Sequence, residues 1–273
     1  MLDLKDGLII SEISSELASE TRCSILMSLY IKPSKISSLA RELDITAQEA
    51  FRNINRLTEA NLIKRGDDEL GSTGVFYLTE LGRLIMKQFP YFLVIRKYQL
   101  IFEDHTLKNV PDKFVHRLGA LQNCNVIKNV TAVFEKLKKL ELNTKKCLRI
   151  MVSEAWPEEG RILVDRAING VDVLGMFGRN TVFPQEVIDS VIPHIDRLEK
   201  SGKIKRKMLD TVELAIYISD SESAVMLPNI KGEVDMSMLL VGNDSIFNEW
   251  CLDIFNHFWE LAGPARLDKV KIV

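Results

Sequence analysis

Long apolar runs are missing from this 273-residue chain. No stretch reaches the roughly 20 residues that a membrane-spanning helix requires, and the amino terminus, MLDLKDG, lacks the basic-then-apolar order of a secretory signal. A cytoplasmic protein with no membrane partner is expected. Cysteine is scarce too: Cys23, Cys124, Cys147 and Cys251 are widely separated and form no CxxC, which argues against a zinc knuckle and a disulfide framework. Each is expected to pack as a small apolar residue. Nor is there an excess of either charge. The formal net charge is −2, so affinity for nucleic acid has to come from a local patch, as in a sequence-specific binder rather than a chromatin coat.

Catalytic signatures are thin in the same way. A phospholipase D-type hydrolase pairs a histidine nucleophile with a lysine two residues on. The four histidines, His105, His116, His194 and His257, are followed at that spacing by Leu, Leu, Asp and Trp. Gly170, Gly175 and Gly178 are too scattered for a phosphate-cradling loop, no GKS or GKT follows them, and no GxSxG marks a nucleophile elbow. The expectation is a non-enzyme with no catalytic residues, no metal site and no cofactor.

What is present is concentrated between Ile36 and Ile63, ISSLARELDITAQEAFRNINRLTEANLI. Ile36, Leu39, Ala40 and Leu43 share one helical stripe, and Asp44-Ile45 breaks it. Thr46 has Glu49 three residues on, the pairing of a capping box, so a second helix should start there. Its buried edge reads Ala50, Ile54 and Leu57. The opposite side carries Gln48, Arg52 and Asn55, with Arg56 on its flank. Gln and Arg can make bidentate bonds to purine edges in a major groove. Lys64 and Arg65 follow, then a Gly/Asp tract from Gly66 to Gly74 and the run Val75-Phe76-Tyr77-Leu78, which reads as a two-stranded wing. Together these make a winged helix-turn-helix. The expected double-stranded DNA contacts are Thr46, Gln48, Arg52, Asn55, Arg56, Lys64 and Arg65. The wing tip, Asp67-Asp68-Glu69, is acidic and should repel phosphate.

Ahead of this pair, Ile13, Leu17, Ile25, Leu26 and Leu29 keep helical spacing. Beyond it a helix should run from Thr79 to Gln88 and kink or stop at Pro90. Tyr91 to Phe102 is more apolar than a small DNA-binding domain needs, and it reads as a dimerisation or interdomain helix. His105 to Asp112 reads as a hinge, and Val126 to Leu140 as an amphipathic helix. Then the pattern changes. Cys147–Val152 and Val171–Phe177 read as strands, with helices at Glu158–Asn169 and Gln185–Lys200. Four strand-like runs follow, at Ile204–Leu209, Val212–Ile218, Ala224–Leu227 and Met236–Val241, then a helix at Ser245–Leu261 and a loose tail from Arg266 to Val273. The fold class is α+β or α/β: an N-terminal winged helix-turn-helix, a helical linker and a C-terminal mixed α/β domain. The expected boundaries are 1–103, 104–145, 146–263 and 264–273.

This order of segments, with RLGALQNCNVI from Arg117 to Ile127, Ser219-Asp220 after a strand, and NEWCLDIFNHFWELAGP from Asn248 to Pro264, resembles an archaeal regulator family. Members join an ArsR-like or MarR-like winged helix to the methanogenesis regulatory protein middle domain, a relative of the phospholipase D-like sensor half of TrmB regulators. The resemblance implies a homodimeric, sequence-specific transcription regulator whose C-terminal domain senses a small-molecule effector of unassigned identity. Strand ends are where a mixed sheet opens a pocket, so Glu154, Trp156 and Arg179 are the expected effector contacts. Two rivals remain open: an enzyme whose winged helix serves protein contacts, and a redox sensor acting through Cys23 or Cys124.

Overall fold

A single residue sets the turn between the two paired helices: Asp44 takes a left-handed conformation, φ 53°, a region that Asn and Asp tolerate better than other side chains. The computed structural model describes residues 4–66 and 74–273, so the acidic wing tip lies outside the described residues. The chain divides into two compact units, Met1–Phe89 and Pro90–Val273.

In the first unit α1 (Leu4–Leu17) and α2 (Glu20–Ile31) precede α3 (Ile36–Glu42) and α4 (Ala47–Glu59). Strands β1 (Ile63–Gly66) and β2 (Val75–Leu78) pair antiparallel, with Lys64 opposite Tyr77, and α5 (Glu80–Met86) closes the unit. Ser34 bridges to Phe76, adding a third short rung to the wing. The expected stripes face inward. Leu39, Ile54, Leu57 and Ile25 are fully buried in one cluster, each such side chain contributing about 1.5–3 kcal/mol. Thr79 ties the wing to α5: its hydroxyl donates to Asn61 O at 2.7 Å and accepts from Gly82 N at 3.0 Å.

The second unit starts with α6 (Phe89–Lys97), α7 (Gln99–Asp104) and α8 (Asp112–Val115), then β3 (Asn125–Lys128) and α9 (Val130–Asn143). There follow β4 (Cys147–Glu154), α10 (Pro157–Ile168), β5 (Asp172–Phe183), α11 (Gln185–Ser190) and α12 (Ile192–Lys200). Strands β6 (Ile204–Leu209), β7 (Ala215–Ile218), β8 (Ser223–Met226) and β9 (Met238–Gly242) lead to α13 (Ser245–Leu261), β10 (Gly263–Pro264) and β11 (Lys271–Ile272). The strands form one mixed sheet in the order β10-β6-β5-β4-β7-β8-β9-β3, with β11 added beside β5. β4, β5 and β6 run parallel because α10 and the α11–α12 pair make the crossovers. Both faces are covered. On β7, Ile216 and Ile218 enter a core with Trp250, Phe247 and Ile254 of α13, while Ala215 and Tyr217 enter one with α9, α10 and α12. A sheet buried on both sides explains why its strands read as unbroken apolar runs.

Several expectations need correction. The first domain does not extend to residue 103, nor is 104–145 a separate connector: Val94, Tyr98 and Ile101 are buried in the core that holds Trp250, because one face of this apolar stretch finds its partner there. The helix expected to stop by Pro90 does end before it, at Met86, and Pro90 sits in the first turn of α6, where its missing N–H costs nothing. His105 to Asp112 is no hinge. His105 is held between Ile101 O at 2.8 Å and Asp235 at 3.0 Å, and Thr106 N donates to Pro228 O. Val126 belongs to a strand, not a helix, since Asn129 turns the chain with φ 87° and caps α9 by accepting from Thr131 N. Gln185–Lys200 is two helices, broken at Val191 before Pro193. The tail is not loose: β11 pairs with β5, and Val273 exchanges backbone bonds with Phe183 and Gln185.

Candidate nucleic-acid interface and effector cleft

Thr46 starts α4 as its spacing implied, its Oγ1 accepting from Glu49 N at 3.1 Å. With Ala50, Ile54 and Leu57 buried beneath, the outward side of α4 presents Gln48, Arg52 and Asn55, all exposed. Among the described residues none of these three has a hydrogen-bond or ion-pair partner within the fold, so their donors are available to a ligand. Arg56 is different. Its Nη2 lies 2.6 Å from Glu16 Oε1, a carboxylate that Arg22 also approaches at 3.1 Å. The structure brings Gln48, Arg52 and Asn55 together and gives Arg56 an internal partner.

Phe51 was missed by a reading that sought only polar contacts. It is 54% exposed and sits one turn from Gln48 and Asn55 on the same face. The signal was available: an apolar residue at a position where the stripe of Ala50, Ile54 and Leu57 does not need one. On the wing, Lys64 and Arg65 are exposed, and the Lys64 ammonium lies 5.0 Å from the Tyr77 ring centroid across the strand pair.

The three effector contacts expected in the second unit do not meet. Glu154 is exposed at the end of β4, paired with Val182. Arg179 is exposed and bound to Asp210 at 3.1 Å, in a shallow cleft with Thr211, Phe258 and Arg266. Trp156 points elsewhere: its ring packs against Phe134 of α9, centroids 3.7 Å apart, at the mouth of a cleft between α9 and α10.

That cleft holds a pair of carboxyl groups. Glu141 of α9 is 1% exposed, and Glu159 of α10 accepts a 2.9 Å bond from the Tyr217 hydroxyl on β7. Desolvation pushes Glu159 up to about 7, against the opposing pull of the bonds from Tyr217, Glu141 and the Trp156 backbone. Glu141 is raised further, by burial first and by the charge of Glu159 second. Burial and mutual repulsion thus bias both carboxyls toward their protonated forms. Nothing local in the sequence marks this trio, because Glu141, Glu159 and Tyr217 come from three elements.

Burial raises all four thiols, Cys124 to about 12, which disfavours the thiolate form; Cys124 and Cys251 are buried, Cys23 and Cys147 partly exposed. Among the described residues no helix is long and apolar enough to cross a membrane, and no group of three or more His, Cys, Asp or Glu side chains is arranged to hold a metal ion.

No known family and no curated protein matches the chain. Among solved structures it is similar to TrmBL2, an archaeal chromatin protein with a novel mode of DNA binding, at 14% identity over 90% of this chain and 93% of that one, TM-score 0.41. It is also similar to the adhesin competence repressor AdcR of Streptococcus pyogenes, at 21% identity over 42% and 93%, TM-score 0.27. A third is CalO1, a methyltransferase of calicheamicin biosynthesis, at 14% over 77% and 67%, TM-score 0.22. Superpositions this loose transfer no function to the chain.

Proposed function

We propose that the protein is a sequence-specific DNA-binding transcription regulator that acts as a homodimer and responds to a small molecule held in its second unit. The observation that carries this reading is the outward face of α4: Gln48, Arg52 and Asn55 project together from a rigid, capped helix and have no internal partner among the described residues. Arg52 and Gln48 read base edges, Asn55 reads or positions, Phe51 meets thymine methyl groups, and Lys64 and Arg65 touch phosphate. Thr46 sets the helix start that aims them. Arg56 orients α4 through Glu16 rather than reading bases. Exposed Phe92, Leu93 and Leu100 on α6 and α7 support self-association, which sets the two reading helices on successive major grooves of a near-palindromic site.

The test is selection of bound duplexes from a random DNA pool with the full chain. Enrichment of a defined, near-palindromic sequence supports the proposal. A pool that stays random, bound or unbound, overturns it.

A further inference from the structure

The cleft between α9 and α10 is walled by Phe134, Trp156 and Tyr217. Four carboxyl groups line it, from Glu135, Glu141, Glu158 and Glu159, against one ammonium, that of Lys138. Lys138 is already committed to Glu158 at 2.5 Å. On the far side of Glu159, Arg206 lines a neighbouring apolar cavity but is bound to Asp196 and Glu199. The buried carboxyls therefore have no free cation facing them. Two buried polar atoms on residues of this wall, Glu141 Oε1 and Trp156 Nε1, have no hydrogen-bond partner. A buried acceptor left without a donor costs on the order of 1–3 kcal/mol unless a ligand supplies one.

We propose that this cleft binds a small organic ammonium ion that also carries a hydrogen-bond acceptor. The inference deepens the effector part of the function proposed above by naming the ligand's chemistry. The ammonium donates to Glu141 Oε1 and Glu159, the aromatic walls face its positive charge, and the ligand's oxygen accepts from Trp156 Nε1. An anion is excluded by the four carboxyls. A neutral alcohol leaves their charge uncompensated.

The proton balance follows. Below about 7 Glu159 carries a proton, which passes to solvent when an entering ammonium takes its place; above about 7 Glu159 is already ionised, while Glu141, raised well above the usual range by burial, keeps its proton on both sides. Ammonium affinity accordingly rises with pH through about 7.

The experiment is calorimetric titration of the full chain with ethanolamine at pH 6 and pH 8, in buffers of different ionisation enthalpy, with n-butanol and butyrate as controls. Expected are saturable binding of ethanolamine, a Kd that tightens up to about tenfold at pH 8, a buffer-dependent heat that reports proton release, and no binding of either control. Absence of saturable ethanolamine binding, equal affinity at both pH values, or binding of butanol or butyrate as tightly as ethanolamine overturns the proposal. These arms need no variant. In addition, Glu159→Gln and Phe134→Leu, checked for cooperative unfolding, should each weaken ethanolamine binding several-fold, and unchanged affinity in both overturns it. No DNA is present, so failure here leaves the reading of α4 standing, and a random DNA pool leaves the cleft standing.

Discussion

Arg56 on the flank of the reading helix reaches back to Glu16 at the end of α1, and the 2.6 Å contact closes on a carboxylate that is almost fully buried. Removing the guanidinium leaves Glu16 with Arg22 and a long 3.5 Å bond from the Ser15 hydroxyl. Arg56→Ala is expected to cost about 1 kcal/mol of stability, discounted because half of the arginine side chain faces water. Chemical denaturation of Arg56→Ala, Glu16→Gln and the double variant measures the coupling. Additive effects would sever the link.

Arg52 gives the contrasting case. Arg52→Ala should leave the unfolding midpoint unchanged and cost about 1–3 kcal/mol for operator DNA, relaxing base choice at the position it reads. Competition between operator and random duplex at fixed salt is the measurement. Equal losses on both would assign Arg52 to phosphate.

Two glycines separate tight packing from open space. A Cβ on Gly82 would lie 2.1 Å from Leu62 O, where α5 crosses the start of the wing, so Gly82→Ala should destabilise by about 3 kcal/mol. A Cβ on Gly175 would meet only Ile150 at 3.8 Å, and Gly175→Ala should be neutral or stabilise by about 0.5 kcal/mol. Paired thermal melts decide, and similar shifts for the two variants would contradict the packing described.

The carboxyl pair fixes a sign for pH dependence. Glu159 and Glu141 are both raised in the folded state, so their contribution is intact below the ordinary carboxylate range and is lost as pH rises through about 7. Denaturant titrations from pH 5 to pH 8 should show stability falling by about 2 kcal/mol, and Glu141→Gln should flatten that slope. A wild-type curve that rises over the same window would refute the assignment.

Asp220 behaves in the opposite sense. Slight burial works against its charge, but the backbone N–H groups of Lys145, Lys146 and Cys147, at 2.6, 2.8 and 3.1 Å, prevail and hold its carboxyl below the usual range. Asp220→Ala should cost about 1–2 kcal/mol at neutral pH, with the difference from wild type shrinking as pH falls through the carboxylate range. Refolding equilibria at pH 7 and pH 3 would check it.

The Ser219-Asp220 pair shows how a residue prominent in the sequence acquires its meaning only in three dimensions: it secures the entry to β4. Elements whose determinants are local were legible. The Thr46 cap, the stripe of α4, β4 and the whole of α13 follow from spacing and end signals a few residues long. What depended on distant partners was not. Asn129 in a left-handed turn makes Val126 a strand residue because β9 offers it an edge to pair with, and the tail is ordered by β5, some ninety residues earlier in the chain. The outward face of α4 could be read from helical geometry, whereas Glu16 beneath Arg56, forty residues away, could not. Glu141, Glu159 and Tyr217 likewise converge from α9, α10 and β7.

Every residue of β7 and β8 is enclosed, and Tyr217 is the one side chain through which that pair of strands offers a titratable group to the cleft. New polarity cannot be introduced there without unpaired burial. For the ligand proposed above, diversification is therefore confined to α9 and α10, where an exchange at position 141 or 159 would retune selectivity while the barrier of apolar strands behind it stays as it is.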